Sequence, residues 1–138
     1  MAELPCLSVL DVSNNYLSSI SPAVAHMKAL EDLNLGNNKL EDLPDGVCFP
    51  CPEVSHLFLV AYIAIWRIPR LRSLNAQSNQ IKAISSTIIH CQSLYKLILD
   101  CNDISFLPMQ ITKLSSLKYL SLAGNQLKAL PQGNKNNY

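Results

Sequence analysis

The chain has 138 residues, 49% of them hydrophobic and 15% charged, with a formal net charge of +1. That is too apolar for a disordered chain and long enough for one domain with its own core. The charge balance leaves no electrostatic footprint for nucleic acid or for an anionic membrane surface.

The N-terminal stretch MAELPC has no basic segment leading into an apolar run, so no signal peptide is expected. Cysteines stand at 6, 48, 51, 91 and 101, an odd number, and no N-x-S/T sequon occurs. Both features point to a reducing interior, and a cytoplasmic location is expected.

From Leu7 onward the chain repeats. The pattern L-x-x-L-x-L-x-x-N-x-L fits Leu7–Leu17, Leu30–Leu40, Leu71–Ile81, Leu94–Ile104 and Leu117–Leu127. The starting positions are 7, 30, 71, 94 and 117, and every interval except that from 30 to 71 has the same length. In each L-x-L the two apolar residues point the same way from an extended strand. One such strand cannot bury its apolar face alone, but stacked on like neighbours it completes a parallel sheet over a continuous core. The linking halves carry apolar residues three or four apart, as in Ile84, Ile88, Cys91 and Leu94, or Leu107, Ile111, Leu114 and Leu117. That spacing predicts 3₁₀ or short helical turns on the outer side, with the proline of each L-P pair in the first helical turn. Asparagines 15, 38, 79, 102 and 125 recur where the chain leaves each strand. An amide there can satisfy backbone groups that the turn would otherwise bury unpaired, so the column reads as structural.

These motifs resemble the leucine-rich repeat family, over about 115 of the 138 residues. The 23-residue step and the L-P pairs are similar to the intracellular class of Ras-pathway and cell-polarity scaffolds. The resemblance implies an α/β right-handed solenoid, with a parallel sheet on its concave face and 3₁₀ turns outside. It implies a non-enzymatic protein-interaction module, a scaffold or adaptor, with a small GTPase or another signalling protein as partner and no cofactor. The alternatives are a regulatory repeat segment of a larger enzyme (kinase, GTPase or ubiquitin ligase) or a truncated isoform without independent function.

The segment from Cys48 to Arg70 breaks the pattern. It holds a C-x-x-C pair (Cys48, Cys51) with His56 behind it, then ten apolar residues from Leu57 to Trp66. A zinc site needs four ligands, and no second pair follows, so no metal is expected. Ten apolar residues are half the roughly 20 that span a membrane. Val54, Leu57 and Leu59 still offer V-x-x-L-x-L, which reads as a degenerate third repeat supplying a strand between Leu35 and Leu74. On that reading residues 1–132 form about six repeats and 133–138 a disordered tail. So abrupt a departure also suggests a splice variant, a sequence error or read-through, and the absence of a visible cap at either end suggests a fragment or isoform.

No Walker loop, G-x-S-x-G or H-E-x-x-H motif is present, and no enzyme activity is expected. Strand residues that do not face the core should line the concave face. They fall into three columns: Val9, Asp32, Ser73, Lys96, Tyr119; Asp11, Asn34, Asn75, Ile98, Ser121; and Ser13, Gly36, Gln77, Asp100, Ala123. The degenerate unit would add His56, Phe58 and Val60. Within this face Asp32, Asn75, Gln77, Lys96, Asp100 and Tyr119 are the candidate partner-binding residues.

Overall fold

A computed structural model describes residues 4–43 and 65–132. Each L-x-L becomes the centre of a three-residue strand: β1 Val9–Asp11, β2 Asp32–Asn34, β3 Ser73–Asn75, β4 Lys96–Ile98 and β5 Tyr119–Ser121. The strands form one parallel sheet in chain order, and the central leucines 10, 33, 74, 97 and 120 pair straight across it. On the outer side, among the described residues, run four 3₁₀ turns, η1 Pro22–His26, η2 Ile65–Arg67, η3 Ser86–His90 and η4 Met109–Lys113. Ser21 and Ser85 open η1 and η3 by accepting the backbone N–H two residues on, at 3.3 and 3.2 Å. Pro108 differs slightly from expectation, standing at the N-cap of η4 and not inside its first turn.

Between sheet and outer turns lies a single core. Leu30, Leu35, Leu40, Leu71, Leu74, Ile81, Leu94, Leu97 and Ile104 are wholly buried within it. Each such side chain contributes roughly 1.5–3 kcal/mol relative to exposure. Leu120, on the edge strand, is 40% exposed, whereas Leu74 and Leu97, flanked on both sides, are not exposed at all.

One expectation is corrected. No strand stands between β2 and β3: Asp32, Leu33 and Asn34 pair directly with Ser73, Leu74 and Asn75. The backbone bonds Arg72 N–H to Glu31 carbonyl (2.8 Å) and Leu35 N–H to Asn75 carbonyl (2.7 Å) close the joint. On the outer side η2 packs between η1 and η3. Leu30 and Leu71 therefore hold corresponding places in adjacent turns of the solenoid. The surplus falls between two core anchors. The path from Leu43 to Ile65 is several times longer than the corresponding step from Leu107 to Ile111, although Leu43 and Ile65 are both buried. Ile65, Ile68 and Leu71 keep the expected spacing, and Trp66, 1% exposed and the single tryptophan of the chain, adds an indole to the core. Cys48, Cys51, His56, Phe58, Val60 and the tail 133–138 lie outside the described residues.

The asparagine column behaves as its chemistry predicts. Asn79 accepts from the Leu40 N–H of the preceding turn at 3.0 Å, and its amide donates to the carbonyls of Leu35 and Ala76 at 3.1 Å. Asn38, Asn102 and Asn125 repeat the arrangement with Leu17, Ile81 and Ile104. The side-chain amide of Asn15 donates within its own turn, to Val12 and Ser13. The residue before each asparagine takes a positive φ: Asn14, Asn37, Ser78, Cys101 and Gly124, between 53° and 68°. Asparagine and glycine tolerate that conformation at little cost; serine and cysteine do not.

Candidate inner-face binding site

Parallel pairing without offset turns sequence columns into spatial rows. Val9, Asp32, Ser73, Lys96 and Tyr119 stand side by side at the start of the strands, with Val9 58% and Tyr119 50% exposed. Neighbouring strands lie about 4.8 Å apart, which puts Asp32 and Tyr119 roughly 14 Å apart along the row. Asp11, Asn34, Asn75, Ile98 and Ser121 form the second row. Over these rows lies a shallow depression of about 220 Å³, reaching from β1 to β4. That is below the roughly 300–1,000 Å³ typical of small-molecule sites, and its floor is a sheet and not a cleft.

The second row is internally bonded. Asn34 donates to Asp11 at 3.0 Å, and Asp11 also accepts from the Ser13 hydroxyl (2.6 Å) and the Ser13 N–H (2.9 Å). The Ser13 hydroxyl, the Ser13 N–H and the Asn34 amide together hold the Asp11 carboxyl below its usual range. Asn34 and Asn75 each accept the N–H two residues on, from Gly36 and Gln77, both at 3.1 Å. Gln77 reaches back toward β2: a Cβ on Gly36 would come within 3.3 Å of its Cγ and 3.3 Å of Asn34 Oδ1. Glycine at 36 is what lets the Gln77 side chain lie flat there.

Of the six candidate residues, Asp32, Lys96 and Tyr119 share the first row and Asn75 stands in the second. Gln77 and Asp100 sit beyond the strand ends, where the Asn37 N–H donates to the Gln77 carbonyl and the Ser78 N–H to the Asp100 carbonyl. Lys96 and Asp100 do not pair. Lys96 Nζ lies 5.5 Å from the centre of the Tyr119 ring, while Asp100 accepts from Ser121 Oγ at 2.6 Å and the Ala123 N–H at 2.7 Å.

A further row escaped the columns read from sequence. The strands are preceded by Ser8, Glu31, Arg72, Tyr95 and Lys118. The carbonyls of the first four each accept two N–H groups of the next turn, at 2.8–3.0 Å. Lys118 Nζ lies 5.9 Å from the centre of the Tyr95 ring, beside the Lys96–Tyr119 contact. The signal was present in the letters: Tyr-Lys at 95–96 and Lys-Tyr at 118–119, one repeat apart, place each cation opposite a ring. Such contacts contribute about 0.5–1 kcal/mol each when exposed.

Among the described residues no group of three or more His, Cys, Asp and Glu side chains could hold a metal ion, and the buried polar side chains are Asn38, Asn79 and Asn102. No helix among them is long and apolar enough to cross a membrane.

A family model described as leucine rich repeat matches residues 5–61 and 92–134. The adenylate cyclase of Schizosaccharomyces pombe is 31% identical over 130 residues, covering 88% of this chain and 8% of that protein. A Dictyostelium discoideum protein, "Probable serine/threonine-protein kinase pats1", is 32% identical over 131 residues, or 91% of this chain and 4% of its own length. The chain thus spans less than a tenth of the length of these curated relatives. Among solved structures, the BIR3–SERK2 complex from Arabidopsis thaliana is similar with a TM-score of 0.67 and 26% identity, covering 89% of this chain and 59% of that one.

Proposed function

The chain belongs to the leucine-rich repeat family, and on that premise we propose that it binds a partner protein across the inner face of its sheet. The observation that carries this reading is the first row. Five non-core side chains, from Val9 to Tyr119, stand in register on a continuous ladder, and all but Ser73 are exposed. A shallow, extended surface with two exposed tyrosines suits a protein and not a small molecule. The similarity to a chain of a protein–protein complex is in keeping with this. A signalling partner, small GTPases among them, is the proposed class. The free thiols of Cys6, Cys91 and Cys101 support placing the chain in a reducing compartment such as the cytoplasm. A second reading is favoured by the relatives: two are named as enzymes and this chain matches under a tenth of each. In that reading the same face serves as a regulatory segment of a longer polypeptide.

The test is site-specific photo-crosslinking in cells, with p-benzoylphenylalanine at Ser73 or Asn75 on the inner face and at Gln92 or Thr112 on the outer. Discrete protein adducts from the inner positions alone are expected. Adducts from the outer positions alone, or from none of the four, would overturn the proposal.

A further inference from the structure

The inner face is electrically divided. Toward β1 and β2 the rows carry Asp11 and Asp32, with Glu31 at the edge where β2 begins, and toward β3, β4 and β5 they carry Lys96, with Arg72 and Lys118 at the same edge. These three cations are exposed, and among the described residues none lies within 4.0 Å of a carboxylate; the ion pair there joins Lys82 to Glu41. Asp100, the carboxylate on β4's turn, stands four residues beyond Lys96, roughly 13 Å along the strand, and it is occupied by Ser121 and Ala123.

Aromatic rings fix where the cations sit. Lys96 lies over Tyr119 and Lys118 over Tyr95, a crosswise pair on adjacent strands. Lysine over a ring recurs elsewhere between adjacent turns, at Lys39 with Tyr16 and Lys128 with Phe106, but those pairs lie beyond the asparagine turns. Among the described residues, only the Tyr95–Lys96 and Lys118–Tyr119 set brings two rings and two ammonium groups together where the strands begin, at the edge of the inner face, with Arg72 next in the ladder. Tyrosine and arginine are residue types enriched in interface hot spots, and charge complementarity sets partner choice and association rate.

We infer that the β3–β5 end of the inner face receives an acidic segment of the partner protein, laid across Arg72, Lys96 and Lys118 with its apolar atoms against Tyr95 and Tyr119. The inference rests on the inner face being a protein-binding surface and names what the bound segment carries. The acidic β1–β2 end gives the segment a direction, because a carboxylate run shifted toward Glu31 and Asp32 meets like charge.

The probe is a fluorescein-labelled twelve-residue peptide of Glu-Glu-Gly repeats, titrated by fluorescence anisotropy at low salt against the whole chain. A peptide of Lys-Lys-Gly repeats serves as its mirror. The glutamate peptide should bind at least tenfold more tightly than the lysine peptide. Lys96→Glu with Lys118→Glu should weaken it at least tenfold, and the milder Lys96→Gln with Lys118→Gln at least threefold. Lys28→Glu with Lys113→Glu, the same charge change on the outer side, should alter it less than twofold. Equal weakening by both glutamate doubles would reduce the effect to net charge and overturn the inference. So would tighter binding of phosphatidylserine vesicles or duplex DNA with the same Lys96/Lys118 dependence. Should the peptide fail while inner-face photo-adducts persist, this inference falls and the protein-binding reading stands. Loss of the adducts as well removes both.

Discussion

Asn102 joins two turns of the solenoid through Ile81: its Oδ1 accepts the Ile81 N–H at 3.0 Å, while its amide donates to Ala76 and Leu99 carbonyls, also at 3.0 Å. Asn102 is 5% exposed and Ile81 is wholly buried, so water cannot replace what the amide supplies. Removing it leaves the Ile81 N–H without its partner, while the Ala76 and Leu99 carbonyls keep the amides of Asn79 and Asn125. Asn102→Ala should therefore cost about 2 kcal/mol, from one unsatisfied buried donor at about 1–3 kcal/mol. Asn15, exposed and with its side-chain amide bonded within its own turn, should lose about 1 kcal/mol or less on the same change. Urea denaturation of the two variants checks the difference, and equal losses would deny the inter-turn role.

Cys101 holds a φ of 54°, where Asn14 and Asn37 stand in the corresponding turns. A left-handed conformation costs an ordinary side chain about 1–2 kcal/mol, and asparagine much less. Cys101→Asn should raise stability by ~1 kcal/mol, read from the urea midpoint. Gly124→Ala should do the opposite, because its φ is 68° and the new Cβ would meet Cys101 Sγ at 3.2 Å.

Burial pushes the Cys91 thiol up to about 12 from an ordinary value of 9.0. The folded state thus favours the protonated thiol. Its contribution is fully present below about pH 9 and is lost as pH rises toward 12, with a slope of at most about 1.4 kcal/mol per pH unit. In the native protein Cys91 should resist iodoacetamide at pH 8 while the exposed Cys6 and Cys101 react, as peptide mass mapping would show.

Asp11 follows the opposite sign. Its carboxyl is held low by Ser13 and Asn34, so its contribution is present above the ordinary value of 3.8 and lost as pH falls through the lower folded value. Asn34→Ala removes one of the three hydrogen bonds and should move the Asp11 titration upward in carboxyl-detected NMR. No movement would mean that Asn34 does not contact it in solution.

Deleting residues 47–64 would give Leu43 the same short step to its next core anchor, Ile65, that Leu107 has to Ile111. The shortened chain should fold with an unchanged or higher Tm, since its remaining core anchors are those of a regular turn. Trp66→Ala, by contrast, should cost about 3–5 kcal/mol by opening a cavity in the core. Both are read by thermal melting.

Much of the fold was legible because each repeat states its own role. Leucines two apart marked the strands, apolar residues three or four apart marked the 3₁₀ turns, and a constant step set the rows. The error at 48–70 arose where that logic is local but the pairing is not. Val54, Leu57 and Leu59 fit a strand template, and the interval from Leu30 to Leu71 divides almost as well into two short repeats as into one long one. What decides is that Leu33 pairs directly with Leu74, a non-local fact that spacing does not contain. The inner-face columns were readable for the same reason as the strands. The Arg72–Tyr95–Lys118 row was missed because these residues precede the strands, and only the bifurcated backbone bonds bring them into line.

Everything said of the inner face depends on Asp32 standing next to Ser73, so the register of β2 on β3 is the quantity to measure. Inter-strand nuclear Overhauser effects between Leu33 and Leu74 in the isotope-labelled chain report it directly, because adjacent strands lie about 4.8 Å apart and strands one removed about 10 Å. The account predicts strong effects between Leu33 and Leu74. Effects from Leu33 to residues within 54–60, with none to Leu74, would place a strand between them and dissolve the row.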